Sequence, residues 1–175
     1  LQSILDKISG NLLAVRSSSL SEDSFESAKA GVFHSEVNVT NEREALNAAI
    51  TNVLKLMPDQ NGADQILVQP MVENVIASGV IFTRLLHNGA PYYRINFDIG
   101  KDTTSVTSGT AQDTKTVLAL KNNINLKDFE GEPWIGSLIE AAEELEFLFA
   151  IDHLDVEFAV NAANEIIILQ SRPLI

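Results

Sequence analysis

Apolar and polar positions along the chain follow two periods, and each period predicts a different element. Between residues 40 and 57, apolar side chains recur every three or four positions, at Ala45, Leu46, Ala49, Ile50, Val53 and Leu54. This pattern predicts an amphipathic helix, with Thr40 or Asn41 as its N-cap and an end near Pro58. A second helix is predicted over residues 137–151, which are rich in leucine, alanine and glutamate.

Short apolar runs bounded by turn residues predict strands. Seven are expected, at residues 11–17, 64–72, 75–86, 91–99, 114–120, 154–160 and 165–173. The polar segments 18–31 and 100–113 are rich in serine and threonine and predict loops. Together these elements predict an α+β fold in which a mostly antiparallel sheet is covered by helices on one side.

Composition narrows the class of protein. With 175 residues, of which 45% are hydrophobic, the chain can bury the core of one domain. No apolar stretch reaches the roughly eighteen residues of a membrane span, and the first thirty or so residues lack the pattern of a signal peptide. We therefore expect no membrane partner. The chain has no cysteine, which fits a cytoplasmic location.

The charge of the chain limits its partners. A net charge of -12 argues against nucleic acid, because nucleic-acid surfaces use clustered Lys and Arg to neutralise phosphates. Lys and Arg together number only 12, so an arginine beside serines or carboxylates is a candidate anion-binding residue. With glycine counted among these neighbours as well, Arg16, Arg84 and Arg172 are the arginines that stand out.

The last two predicted strands form a hairpin with polar residues inside its apolar runs. Asp155 and Glu157 interrupt the first strand, and Gln170 and Arg172 follow the aliphatic residues of the second. Since side chains alternate along a strand, we expect these four to share one face. The other face would carry Val156, Phe158, Ile167 and Leu169.

The length of the hairpin loop predicts which residues pair. We expect an even loop centred on Ala162 and Ala163. The pairs that follow are Asp155 with Gln170, Glu157 with Ile168 and His153 with Arg172.

Two carboxylates buried side by side require compensation. Without a cation, their burial costs several kcal/mol. A magnesium ion held by a carboxylate and an amide oxygen, and shared with substrate phosphates, would supply that cation, and Arg172 would then bind phosphate oxygens. Alternatively, Asp155 or Glu157 forms a half-exposed ion pair with Arg172 at a sheet edge. The residues alone leave both interpretations open.

Arg16 ends the first predicted strand within the stretch AVRSSSLSED. An arginine followed by serines can offer its guanidinium and backbone N–H groups to phosphate oxygens. A serine-rich loop that binds nothing is the alternative.

Seven short stretches of the chain occur in an order found in a known family. They are AVRSSSLSED, the Ala30–Gly31 pair, LVQPMV, SGVIFTR, VTSG, LDVEF and LQSRP. With these stretches the chain resembles the nucleotide-binding domain of phosphoenolpyruvate synthase and pyruvate phosphate dikinase. The resemblance implies an ATP-grasp fold that binds ATP and Mg2+ between two lobes. It also implies that ATP phosphorylates a histidine on a separate swivelling domain, which carries the phosphoryl group to pyruvate.

The resemblance implies roles for individual residues. Arg16 and Arg172 would contact the ATP phosphates and act as catalytic groups, with Asp155 close by. Glu157 and Gln170 would be the magnesium ligands.

The resemblance also implies a hinge strand, formed by Gln69, Pro70, Met71 and Val72. Its backbone groups would recognise the adenine edge, while the Met71 side chain packs on the ring, in the core, or on both. Residues 107–109 would approach the phosphates through backbone groups, unless they form only a flexible turn.

Departures from the family pattern affect the expected activity. The family's lysine, from an element before the first strand, has no counterpart ahead of Arg16. Residues 1–175 are therefore expected to be a partial ATP-grasp domain with a truncated N-terminal lobe, inactive in isolation. Lys101 and Asp102 stand where the family often has Gly-Glu. The acceptor is therefore left open between pyruvate, a glucan, an antibiotic and others.

Two hypotheses for function remain. In the first, the chain is the ATP-binding domain of a phosphotransferase whose phosphohistidine and acceptor-binding domains belong to the same longer chain. In the second, it is a degenerate, non-catalytic ATP-grasp-like scaffold or binding module. The presence of Arg16, Glu157, Gln170 and Arg172 favours the first, because nothing would offset the burial of such residues in a scaffold.

Overall fold

The computed structural model describes residues 5–8, 10–18, 35–57, 65–100 and 114–174. The chain forms two compact units that divide between Met71 and Val72. We call the part up to Met71 the first unit and Val72–Leu174 the second unit. No helix in the described ranges is long and apolar enough to cross a membrane.

The first unit packs a helix on a three-stranded antiparallel sheet. Its elements are β1 (Leu12–Ser18), β2 (Ser35–Thr40), α1 (Arg43–Leu56) and β3 (Gln65–Pro70), and the strand order is β2-β1-β3. The apolar stripe of α1 buries Leu46, Ala49 and Val53. These side chains pack against Leu13 and Val15 of β1. The apolar face of the helix and the apolar face of the sheet therefore form one small core.

The second unit contains a five-stranded antiparallel sheet in the order β6-β5-β4-β7-β8. Its elements are β4 (Val75–Phe82), β5 (Tyr92–Ile99), β6 (Lys115–Leu120), a 3-10 helix (Leu126–Phe129), α2 (Ile135–Phe149), β7 (Leu154–Asn161) and β8 (Ile166–Pro173). The two strands of the predicted polar hairpin, β7 and β8, are therefore neighbours, and β8 is an edge strand of this sheet.

Helix α2 covers one face of the five-stranded sheet. On β5, Tyr93, Ile95 and Phe97 are at most 1% exposed and share a core with the buried side of α2, including Leu138 and Ala142. The residues that alternate with them lie on the opposite face. We call that opposite face, which lies away from α2, the polar face.

Trp134, directly before α2, connects the helix to the sheet. Its indole packs edge-on against Phe97 of β5, with ring centroids 4.9 Å apart, and against Phe158 of β7 at 5.6 Å. Gly79 of β4 pairs with both phenylalanines in the sheet register. The aromatic cluster therefore spans three strands and sets where α2 begins.

The predicted α+β class with mostly antiparallel strands is confirmed. All seven predicted strands and both predicted helices are present, and their ends differ from the predicted ones by at most four residues. The prediction missed β2 and the 3-10 helix, and it did not separate the strands into two sheets. The loops predicted over 18–31 and 100–113 lie almost wholly outside the described residues.

The predicted N-cap of α1 is wrong. The helix begins at Arg43 with Glu42 as N-cap, and Glu42 makes no side-chain capping bond. The side chain of Asn41 does not cap the helix, and its amide donates instead to the carbonyl of Gly10 at 2.9 Å. Thr40 is the last residue of β2.

The loop between β7 and β8 is centred on Ala163, and not between Ala162 and Ala163 as predicted, which shifts the pairing by one residue. The loop consists of residues 162–165, and Asn164 adopts the left-handed conformation with φ of 61°. The side-chain oxygen of Asn161 closes the loop by accepting from the backbone N–H of Ala163 at 2.9 Å and of Glu165 at 3.0 Å.

The predicted pairs of this hairpin are wrong for the same reason, together with a β-bulge. The register shifts between Glu157 and Phe158, which leaves Leu169 as an extra residue on β8. The observed pairs are Asp155 with Arg172, Glu157 with Gln170, Phe158 with Ile168 and Ala159 with Ile167. Ile167 therefore lies on the face assigned to Asp155 and Glu157, not on the opposite face as predicted.

Candidate functional site

Two rows of paired residues cross the polar face, and each contains two of the candidate site residues. The first row runs from Gln170 on β8 through Glu157, Val80 and Asn96 to Thr116 on β6. Residues directly opposite one another in antiparallel strands have Cβ atoms about 5 Å apart on the same face. The carboxylate of Glu157 and the amide of Gln170 are therefore immediate neighbours, and both residues are half-buried.

The second row lies next to the first, two residues away along each strand. It runs from Arg172 on β8 through Asp155, Phe82 and Arg94 to Leu118 on β6. The structure thus brings all four polar residues of the hairpin onto one face, as the alternation predicted. The loop and the bulge each shift the pairing of β7 with β8 by one residue from the predicted register. The two shifts add up to two residues, which is the period of a strand, so these four residues still share one face.

Asp155 and Arg172 form a cross-strand ion pair. Arg172 donates from Nε at 2.9 Å and from Nη2 at 2.7 Å, and both bonds go to Oδ2 of Asp155. Asp155 is only 9% exposed, so the pair is partly desolvated and its Coulomb attraction is screened less by water than that of an exposed pair. The ion pair considered as an alternative is therefore present, and its carboxylate is Asp155.

The other oxygen of Asp155 lacks a partner. Within the described ranges, Oδ1 is buried and makes no hydrogen bond. A buried carboxylate oxygen without a partner is costly, and a cation or a donor from a ligand would satisfy it. Its neighbours along the face are Arg172 and Glu157.

The donor set fits a hard divalent cation. Glu157 offers a carboxylate and Gln170 an amide oxygen, with the free Oδ1 of Asp155 two positions along β7 from Glu157. Magnesium takes oxygen ligands and usually keeps water and substrate phosphates in its coordination shell. Two or three protein oxygens are enough for such a site. Within the described residues no cluster of three or more His, Asp or Glu forms a complete cage.

Thr83 and Arg84 hold the start of β7, where Asp155 lies. Thr83 is fully buried, and its hydroxyl accepts from the N–H of Leu154 at 2.8 Å. Arg84 forms an ion pair with Asp152 and donates to the carbonyl of Gly89 at 2.9 Å. These contacts tie the β4–β5 turn to the segment that leads into β7.

The ion pair changes the acidity of Asp152. The hydrogen bond from Arg84 is the main cause that lowers the pKa of Asp152 to about 2, and a contact from His153 adds to it. Asp152 in turn raises the pKa of Arg84. Asp152 therefore stays ionised through the neutral and mildly acidic range.

Sequence reasoning missed the polar residues of β5 and β6. Arg94 and Asn96 alternate with the buried aromatic and aliphatic residues of YYRINFD, and this alternation was a usable signal. Asn96 accepts a hydrogen bond at its side-chain oxygen from the Thr116 hydroxyl, at 3.0 Å. The polar face therefore includes residues of β5 and β6 as well as the β7–β8 hairpin on which the prediction was based.

In the first unit, Arg16 and Gln69 lie on the sheet face opposite α1. Arg16 of β1 pairs with Leu67 of β3, and Ala14 pairs with Gln69. Since Leu13 and Val15 point into the core with α1, the even-numbered residues of β1 point the other way. Arg16 and Gln69 are thus diagonal neighbours on one face.

The predicted hinge connects the two sheets. β3 ends at Pro70, and β4 begins at Val75. The N–H of Met71 donates to the carbonyl of Leu12 at 2.9 Å, which extends the pairing of β3 with β1 by one bond. Met71 and Val72 are both half-buried.

Several candidates lie outside the described residues. They are residues 107–109, the Ala30–Gly31 pair, the serines that follow Ser18, Lys101, Asp102 and His34. Of the other histidines, His87 is exposed and His153 contacts Asp152.

Comparison with known families agrees with the resemblance drawn from the short stretches. The sequence model for the pyruvate phosphate dikinase AMP/ATP-binding domain matches residues 1–133. The matched range includes Arg16, residues 69–72 and strands β4–β6 of the polar face, and β7 and β8 follow it. A search of curated proteins found no match to the chain. Since the family model covers most of its length, the chain belongs to the family of pyruvate phosphate dikinase AMP/ATP-binding domains.

Proposed function

We propose that this ATP-binding domain is an ATP-grasp module of a multidomain phosphotransferase similar to phosphoenolpyruvate synthase. It passes a phosphoryl group from ATP to a histidine on a separate domain, and from there to pyruvate or another acceptor. The observation that carries the proposal is the pair of neighbouring contacts on β7 and β8, Glu157 beside Gln170 and Asp155 bonded to Arg172. Family membership supports ATP as the ligand.

Each of these four residues has a role in the proposal. Glu157 and Gln170 hold magnesium, which neutralises charge on the phosphate oxygens when it is bound. Arg172 binds a phosphate oxygen through its guanidinium group. Asp155 fixes the guanidinium in place, so that no reorientation is needed as charge develops during phosphoryl transfer.

Residues of the first unit and of the segment that follows it are also proposed to bind the nucleotide. Arg16 binds phosphate, and residues 69–72 recognise the adenine edge through their backbone. The N–H of Met71 already donates to the carbonyl of Leu12, so another backbone group of residues 69–72 would contact the ring. The Met71 side chain packs against the ring face.

The proposal separates two effects that mutation of the full-length enzyme can measure. Glu157→Ala should lower magnesium-dependent turnover by roughly 100-fold or more, because it removes charge stabilisation in the transition state. Met71→Ala should mainly raise the dissociation constant for ATP, because it removes contact area with the base. Glu140→Ala, at an exposed position on α2, is the matched control and should change neither quantity.

The same experiment tests the alternative of a degenerate scaffold. Circular dichroism and thermal melting of each variant would first establish that it folds. Equal and small effects of Glu157→Ala and Met71→Ala on turnover and affinity would contradict the catalytic proposal and favour the scaffold.

A further inference from the structure

Among the residues that the structure describes, Arg94 lies on the polar face without an ion-pair partner. Its neighbours Tyr93 and Ile95 are buried in the core, so its own side chain lies on the face that carries Asp155 and Glu157. It belongs to the same row as Asp155 and Arg172, two strands away from Asp155. It is half-buried.

The other cations of the second unit in the described ranges are paired or exposed. The paired ones and their carboxylates are Arg84 with Asp152, Lys115 with Glu132, Lys121 with Glu146 and Arg172 with Asp155. Lys127 is exposed on the 3-10 helix. Within the same ranges Arg94 has neither a salt bridge nor a side-chain hydrogen bond.

A half-buried guanidinium without an anion loses hydration and gains nothing in return. Such an arrangement is costly unless a ligand supplies the anion. The adjacent row offers further donors. The Asn96 side-chain oxygen accepts from Thr116, and within the described ranges the Asn96 amide N–H groups make no hydrogen bond. The middle of this part of the face is apolar, with Val80 and Phe82 between β5 and β7.

The distance across the face suits one bound polyphosphate. Neighbouring strands are about 4.8 Å apart, so the backbones of Arg94 and Asp155 are separated by roughly 10 Å. The long side chain of Arg94 can reach back over Phe82 toward a ligand held at β7 and β8. A ligand there would be bound from both sides, by Arg172 at the edge and by Arg94 in the interior of the sheet.

From these observations we infer that Arg94 is a second-unit phosphate-binding residue, which contacts the polyphosphate of the nucleotide from the side opposite to Arg172. The inference rests on the proposed function, because it takes the nucleotide phosphates to lie at Glu157 and Gln170. Arg94 determines preference for nucleotides with more phosphates. It contacts substrate directly and is distinct from the residues proposed above.

Calorimetric titration of this chain with ATP, ADP and AMP in the presence of magnesium tests the inference. Arg94→Gln should weaken ATP binding by roughly 10- to 100-fold, the usual effect of losing a charged hydrogen bond. The loss should be smaller for ADP and absent for AMP. Arg94→Lys keeps the charge without the two-pronged donor and should show an intermediate loss. The control Lys127→Gln removes an exposed cation and should bind all three nucleotides as the unmodified protein does.

Different results identify which step fails. If the unmodified protein binds ATP with magnesium dependence and Arg94→Gln binds it equally well, the inference is wrong and the proposed function stands. If Arg94→Gln loses only competition by free inorganic phosphate, the anion is not the nucleotide's and the inference is wrong. Absence of magnesium-dependent ATP binding by the unmodified protein overturns the proposed function as well. Thermal melts of both Arg94 variants would exclude unfolding as the cause of a loss.

Discussion

At the scale of single residues, the polar face combines features that the sequence shows with others that only the structure shows. Asp155 and Glu157 attract attention in the sequence because they interrupt an apolar strand. Arg172 donates both of its hydrogen bonds to the same oxygen of Asp155. This could not be predicted, because it depends on which residues pair across the hairpin and on how their side chains are oriented. Arg94 was overlooked because no serine or carboxylate neighbours it in the sequence.

The Arg84–Asp152 pair gives a pH-dependent prediction. The folded-state pKa of Asp152 is lowered to about 2, so its contribution to stability is present above the ordinary pKa and is lost as the pH falls through about 2. Asp152→Asn should therefore lower the free energy of unfolding at pH 6 by on the order of 0.5 kcal/mol, since the pair is largely exposed. The difference from the unmodified protein should shrink between pH 4 and pH 2.

Urea unfolding at several pH values from 6 to 2.5 would measure this difference. Glu144→Gln removes an exposed carboxylate of α2 and is the control, with no change expected. A difference that stays constant down to pH 2.5 would show that Asp152 does not stabilise the fold through its charge.

At the scale of elements, the sequence correctly predicted which segments are helices and which are strands, but not which residues pair between neighbouring strands. Periodicity identified α1, α2 and seven strands because each buries one face against a core. It could not predict the hairpin register, which depends on the left-handed Asn164 and on a bulge at Leu169. Strand β2 was missed because only Val39 among its residues is buried, which leaves too little apolar alternation to recognise.

Gly79 makes strand β4 unusually intolerant of substitution. A Cβ at this position would lie 2.1 Å from the carbonyl oxygen of Asn96 and 2.8 Å from Cα of Phe97. Backbone atoms of β5 cannot move away without breaking the ladder, so Gly79→Ala should destabilise the second unit by about 1–3 kcal/mol. In an ordinary strand the same change would stabilise, because alanine loses less conformational entropy on folding than glycine.

Gly100→Ala is the matched control, because a Cβ there meets nothing within 4 Å. Denaturant unfolding of both variants should show a large loss for Gly79→Ala and almost none for Gly100→Ala. Equal stability of the two would mean that β4 and β5 are not packed as closely as described.

At the scale of the whole molecule, the α+β class could be predicted from the sequence, but the division into two units could not. Apolar periodicity shows that a strand has a buried face but not which other strands it joins, so β3 and β4 seemed equivalent although they belong to different sheets. The family could be identified because the ordered short stretches extend over most of the chain. The sequence predicted those residues of the candidate site that interrupt the apolar strands β7 and β8. It did not predict the polar residues of β5 and β6.

The central claim is that the nucleotide phosphates bind on the polar face at β7 and β8. A crystal structure of this protein with magnesium and a non-hydrolysable ATP analogue would test it most directly. The account predicts a metal ion with ligands from Glu157 and Gln170, and phosphate oxygens within hydrogen-bonding distance of Arg172. An analogue bound with its phosphates away from β7 and β8, or a metal ion that neither Glu157 nor Gln170 contacts, would contradict it.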